Sequence, residues 1–280
     1  MPNLVTNGCR LHYQVSGSGP AIVFLHGENH GMPMFDAQMA YFGERFRCVS
    51  YDRRGHGRSE APPYGYSLHS QTLDLAGLLD VLEIREAVLV AVAMSTPIAV
   101  TYALNNPERV MGLVLVSWYE LDGYPTVEER RKAFHPIPFV ELNMRLHDVQ
   151  QRGGKPAVAD FILREVDTLF PIFPPDTGMR KRLAELFADQ PEDRYLHAAE
   201  YYTSLPNLIP EMRRLVCPVL GICGTADPSP DDPRLLLGLA SFRQAWIEGA
   251  RRFSLLESAD AFNTILQDFL LEISPVSAAR

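Results

Sequence analysis

Asp52-Arg53-Arg54-Gly55-His56-Gly57-Arg58-Ser59 is the stretch that decides the fold. This glycine-punctuated turn follows a short apolar run at residues 46–50. It precedes a segment, residues 68–82, whose Leu73, Leu75, Leu78, Leu79 and Leu82 recur at helical spacing. On either side of it the same alternation continues. Ala21-Ile22-Val23-Phe24-Leu25, Ala87-Val88-Leu89-Val90-Ala91-Val92, Gly112-Leu113-Val114-Leu115-Val116 and Pro218-Val219-Leu220-Gly221-Ile222 predict strands. Several are apolar on both faces, as a parallel sheet covered by helices on each side requires. Residues 259–271 repeat Phe262, Ile265, Leu266, Phe269 and Leu270 with a helical period. Strand and helix in regular alternation predict an α/β fold with right-handed crossovers.

The rhythm breaks at residues 119–213, which look helical throughout, with Pro136, Pro138, Gly153-Gly154, Pro171 and Gly178 as punctuation. Such an interval is too long for a loop and must carry structure of its own. The expected organisation is a core of residues 1–118 and 214–280 with a helical cap at 119–213.

Three landmarks, Phe24-Leu25-His26-Gly27, the turn at 52–59 and Val219-Leu220-Gly221-Ile222-Cys223-Gly224-Thr225-Ala226-Asp227, stand in the order and spacing of the α/β-hydrolase superfamily. The turn matches that family's D-x-R-G-x-G-x-S at every fixed position. The resemblance implies a mostly parallel eight-stranded sheet flanked by helices. It also implies an oxyanion hole from the amides of Glu28 and Met94, beside Gly27, and a triad acid at Asp227. Two positions depart from the pattern. The G-x-S-x-G elbow corresponds to Ala91-Val92-Ala93-Met94-Ser95, which puts Ala93 at the nucleophile. Arg252 falls where the family carries its histidine, and a guanidinium is no base near neutrality.

Ser95 reads as the small flank the elbow demands, and Asp227 and Arg252 as an ion pair in place of the acid–imidazole couple. Glu28 and His30 are expected near the pocket mouth, where either could transfer a proton. His26 and His56 read as structural. Trp118 and Tyr119 follow a core strand at the end of the sheet where ligands bind. With Phe134, Phe139, Phe161, Phe170, Phe173, Tyr195, Tyr201 and Tyr202 they suggest an aromatic cavity, most of the cap rings being cap core and two or three facing the ligand. His135, His147 and His197 could overhang it. The expected substrate-binding set is Gly27, Ala93, Met94, Trp118, Tyr119 and Arg252. No metal-ligand spacing, dinucleotide fingerprint or P-loop occurs, so neither a metal nor a cofactor is expected.

On these residues the leading expectation is a non-hydrolytic enzyme on a hydrolase scaffold: an isomerase or epimerase, lyase or cyclase, of natural-product or peptide biosynthesis. A ligand-binding pseudo-hydrolase, and a serine hydrolase whose nucleophile has been exchanged for Ala93, stay open beside it. Composition narrows the partners. The 280 residues are 46% apolar and 21% charged, with 26 Lys plus Arg against 34 Asp plus Glu, a formal net charge of −8. That balance suits a folded domain and disfavours nucleic acid or an anionic membrane face. A small molecule or peptide substrate is expected, with a homo-oligomer allowed. The absence of a signal-like start and the four scattered cysteines predict a cytoplasmic protein.

Overall fold

The computed structural model describes residues 2–124, 126–131, 137–166, 172–228, 236 and 238–273. Its centre is an eight-stranded sheet: β1 (Asn3–Thr6), β2 (Cys9–Ser16), β3 (Ala21–Leu25), β4 (Arg47–Tyr51), β5 (Ala87–Val92), β6 (Val110–Val116), β7 (Val219–Gly224) and β8 (Phe242–Ile247). The spatial order is β1-β2-β4-β3-β5-β6-β7-β8. β2 runs antiparallel to β1 and β4, and every pairing from β4 to β8 is parallel.

Every residue of β3, β5 and β7 is buried, because helices cover both faces. Alternate side chains divide between two cores. Val23, Leu25, Leu89 and Ala91 pack with Leu75, Leu78 and Leu79 of α2 (Leu68–Val81) and Ile98 of α3 (Thr96–Asn105). Ile22, Phe24, Val88 and Val90 pack instead with Met39 and Phe42 of α1 (Asp36–Phe42) and Phe262 and Leu266 of the C-terminal helix Ala259–Ile273. The period of two along each strand makes this division. Leu73 departs from the sequence reading: it faces outward, 43% exposed.

The turn at 52–59 holds the strand ends in place. Asp52 accepts the N–H of Met32 at 2.8 Å and of Arg58 at 2.9 Å. Arg54 forks onto Asp74 of α2, with Nε–Oδ2 at 2.5 Å and Nη2–Oδ1 at 2.6 Å. Gly57 has φ +50°, and a Cβ there would lie 2.4 Å from Asp52 Oδ2, so no side chain fits.

Between β6 and β7 the described chain is helical, with α4 (Phe139–Phe161), α5 (Thr177–Ala188) and α6 (Arg194–Thr203). Gly154, at φ +66° and ψ −168°, breaks α4 ahead of Pro156. Leu142, Leu146, Val158, Leu183 and Tyr195 form a separate apolar cluster, joined by Phe253 from the loop after β8. Among the described residues no helix is long and apolar enough to cross a membrane.

Candidate active site

β5 delivers the chain into a tight turn at Ala93, whose φ of +48° lies in the left-handed region that a residue with a Cβ rarely adopts. α3 begins three residues later. This is the strained strand-to-helix elbow that projects one side chain above a sheet, and here that side chain is a methyl. Ser95 is turned away beneath it. Its hydroxyl donates to the Leu25 carbonyl at 2.7 Å and accepts the Val92 N–H at 2.9 Å, in a fully buried position. Those bonds tie β3 to β5 and leave Ser95 no line of attack.

Gly27 abuts the elbow. A Cβ built on it would lie 3.5 Å from the Ala93 methyl and 3.1 Å from His30 Nδ1, so the imidazole and the methyl converge on one face of this glycine. His30 is buried, with neither ring nitrogen in a hydrogen bond. Phe187 stands edge-on to it at 4.4 Å and Phe253 lies at 5.1 Å. Burial first, then the Arg53 guanidinium, push its pKa down to about 3, so the ring is neutral.

Glu28 is part of an ion cluster. Its carboxylate meets Arg53 Nη2 at 3.0 Å and is paired with Arg194 of α6. Arg194 Nε donates to His56 Nε2 at 2.8 Å, and His56 Nδ1 donates to the Arg54 carbonyl at 3.0 Å, which fixes its tautomer. Burial lowers the pKa of Arg53, and that of Arg194 to about 9. The expected place of Glu28 and His30 near a pocket mouth is therefore corrected: both are enclosed, 7% and 4% exposed, because α6 and the phenylalanine rings close over the loop.

At the other side of the site Asp227 and Arg252 form a bidentate pair, Nε–Oδ2 at 2.7 Å and Nη2–Oδ1 at 3.0 Å, both nearly inaccessible. The Met94 carbonyl accepts the Tyr201 hydroxyl. Trp118 is 1% exposed, packed in the core with its ring edge-on to Phe242 at 6.4 Å. The side chain of Tyr119 lies outside the described residues, as do Phe134, His135 and Phe170. His197 stacks on Tyr66 at 4.2 Å.

Some of the cap rings are cap core, as expected of most of them. Phe173, Phe187 and Phe253 pack on one another and on His30. A hollow of about 110 Å³ opens where the loop after β3 meets the end of α5, lined by Gly31, Met32, Asp52, Arg58, Leu186 and Gln190 among others. Among the described residues no group of three metal-ligating side chains gathers.

Sequence reasoning missed Arg53 and Arg194. Arg53 occupies a variable position of the turn, and a second arginine beside the fixed Arg54 was the signal available. Arg194 carries no signal in its own helix.

The enclosed histidines predict acid sensitivity. His26 accepts the Arg53 N–H at Nε2 and donates from Nδ1 to the Gly27 carbonyl, so a second proton has no partner; burial holds its pKa and that of His56 well below 6.5. The unfolded chain takes up these protons below pH 6.5 and the folded chain does not, so stability falls as pH drops. The expected slope is about 1.4 kcal/mol per pH unit for each histidine. Urea midpoints measured from pH 7.5 down to about 5 should fall steadily, and His30→Phe should lower the slope by one proton. A flat profile would show that these rings are protonated in the folded state.

The α/β-hydrolase fold family model matches residues 20–153. The 2-(acetamidomethylene)succinate hydrolase of Mesorhizobium japonicum is 31% identical over 138 residues, 47% of this chain and 50% of that protein. Epoxide hydrolase 1 of Siraitia grosvenorii is 36% identical over 168 residues, 59% of this chain and 51% of that one. The chain thus spans about half the length of these curated relatives. The crystal structure of the enol-lactonase from Burkholderia xenovorans LB400 covers 96% of this chain and 100% of its own, with a TM-score of 0.78 and 26% identity. These relatives are hydrolases by name, which overturns the expectation of an isomerase, epimerase, lyase or cyclase. With its eight-stranded sheet, its strained elbow and these similarities, the chain has the α/β-hydrolase fold.

Proposed function

We propose that this chain hydrolyses an ester or lactone by direct attack of water, with His30 as general base and no acyl-enzyme. The observation that carries the reading is the His30 imidazole: neutral, without a hydrogen-bond partner, and set against Gly27 on the side that the Ala93 methyl faces. On this reading the serine and histidine of the superfamily are replaced by Ala93 and Arg252, and the methyl leaves space for a water where a serine oxygen would stand.

Substrate enters beneath residues 119–213, taken as the cap, and sets its carbonyl oxygen against the N–H groups of Glu28 and Met94. His30 removes a proton from water as the oxygen adds to the carbonyl carbon, and the two amides stabilise the resulting oxyanion. Collapse breaks the bond to the leaving oxygen, which takes the proton from the imidazolium. The products are an acid and an alcohol. Water and negative charge arriving with the substrate restore basicity to a ring that the closed pocket holds neutral. Asp227 keeps Arg252 oriented along the wall, where the cation draws a substrate carboxylate. The hydrolase and enol-lactonase names among the relatives favour carbonyl hydrolysis.

The test is turnover of 4-nitrophenyl acetate and of dihydrocoumarin, followed by intact-mass analysis of acid-quenched enzyme. Turnover with no acyl adduct, and no adduct from a fluorophosphonate, is the expected result. An acetylated protein would replace the water route with a covalent one, and absence of turnover would remove the hydrolytic reading.

A further inference from the structure

Three groups of the proposed site are held from one stretch of chain far from them in sequence. Gln190 Nε2 donates to the His30 carbonyl at 3.3 Å. Arg194 pairs with the Glu28 carboxylate and donates to His56. Tyr201, two turns further along α6, donates to the Met94 carbonyl, and its ring lies 5.5 Å from the Arg53 guanidinium carbon. Arg194, Ala198 and Tyr201 are spaced to share one helix face, and all three are buried.

The Arg194 contact differs in kind from the other two. A buried guanidinium has lost its hydration, so it persists only where its donors are used, and here they are used on Glu28 and His56. Glu28 is the residue whose N–H faces the oxyanion in the proposed reaction. Its side chain is gripped from two sides, by Arg53 beneath the loop and Arg194 above it. Arg53 also donates to the Gly27 carbonyl at 3.2 Å, so the grip extends along the loop backbone.

We propose that Arg194 is a positioning residue: by fixing the Glu28 carboxylate and the His56 ring it sets the loop whose amide receives the oxyanion. The site is thereby assembled by α6. The proposal rests on the hydrolytic reading for its kinetic part and on geometry for the rest. Removing Arg194 leaves Glu28 paired with Arg53, so no charge is orphaned and the chain should fold.

The experiment compares wild type with Arg194→Met and Arg194→Lys, using 4-nitrophenyl acetate turnover and hydrogen–deuterium exchange by mass spectrometry. Arg194→Met should lower kcat at least 30-fold with KM changed less than threefold. It should also raise amide exchange at least tenfold in peptides covering 27–32, with β6 peptides unchanged. Arg194→Lys, which keeps the charge on Glu28, should recover kcat to within about tenfold of wild type. Should Arg194→Met fail to fold, Arg194→Gln takes its place, keeping a donor but no charge. Unchanged kcat and unchanged loop exchange would overturn the proposal while leaving hydrolysis intact. A wild type without turnover defeats the hydrolytic reading instead. Faster loop exchange then still supports positioning, and unchanged exchange overturns it.

Discussion

Replacing His30 by Ala should reduce hydrolysis by at least 100-fold, the lower end of what a positioned general base contributes. His30 is the uncharged imidazole beside the elbow, and the nearest hydroxyl, Ser95, is already bonded to Leu25 and Val92. The substitution also removes a ring packed against Phe187 and Phe253, so part of any loss could come from collapse of that cluster. Added imidazole separates the two causes. The vacated volume has the shape of the missing ring, so millimolar imidazole should restore a measurable fraction of the rate. Recovery that grows with the concentration of the neutral base identifies proton transfer. A variant that keeps more than a third of wild-type activity would assign the base elsewhere.

The largest effect on stability belongs to Asp227→Asn. Asp227 and Arg252 meet through two short bonds with almost no exposure of either partner. Turning the carboxylate into an amide removes the negative charge that those two bonds hold against the enclosed guanidinium. Breaking a buried pair from one side costs about 3–5 kcal/mol. For a chain of this size that corresponds to a Tm fall of roughly 10 °C. Removing both charges together, Asp227→Asn with Arg252→Met, should recover more than half of the loss, since the desolvated cation is then absent. Thermal unfolding of the two singles and the double closes the cycle. A single variant that melts with wild type would mean that water reaches the pair.

The fold was legible because its signals are local. Residues 52–59 specify a turn whose fixed Asp, Arg and Gly each meet a backbone or side-chain partner, and β3, β5 and β7 are apolar runs of strand length. β1 and β2 were harder to see. They are antiparallel, lie at the sheet edge, and mix exposed with buried positions along Cys9–Ser16.

The site was legible in its backbone and less so in its side chains. The elbow register followed from Ala91 and Ser95 as small flanks. The enclosure of His30 and the grip on Glu28 depend on α5 and α6, which approach from more than a hundred residues away, and no spacing within residues 24–31 encodes that approach. Which rings would be core was illegible for a related reason. A count of aromatic residues does not say whether rings face a ligand or one another, and Phe173, Phe187 and Phe253 face one another.

The ion cluster has a consequence for biosynthesis. Glu28 and Arg53 lie 25 residues apart and can neutralise each other as soon as β3 and β4 have left the ribosome. Arg194 stands 138 residues beyond His56, so it reaches the cluster only after most of the chain has been translated. Its arrival converts a balanced pair into a buried group with one excess positive charge. That step is uphill by itself, and it is driven by the simultaneous burial of Tyr195, Ala198, Tyr201 and Tyr202 on the same helix. Docking of α6 is therefore the event that completes the site.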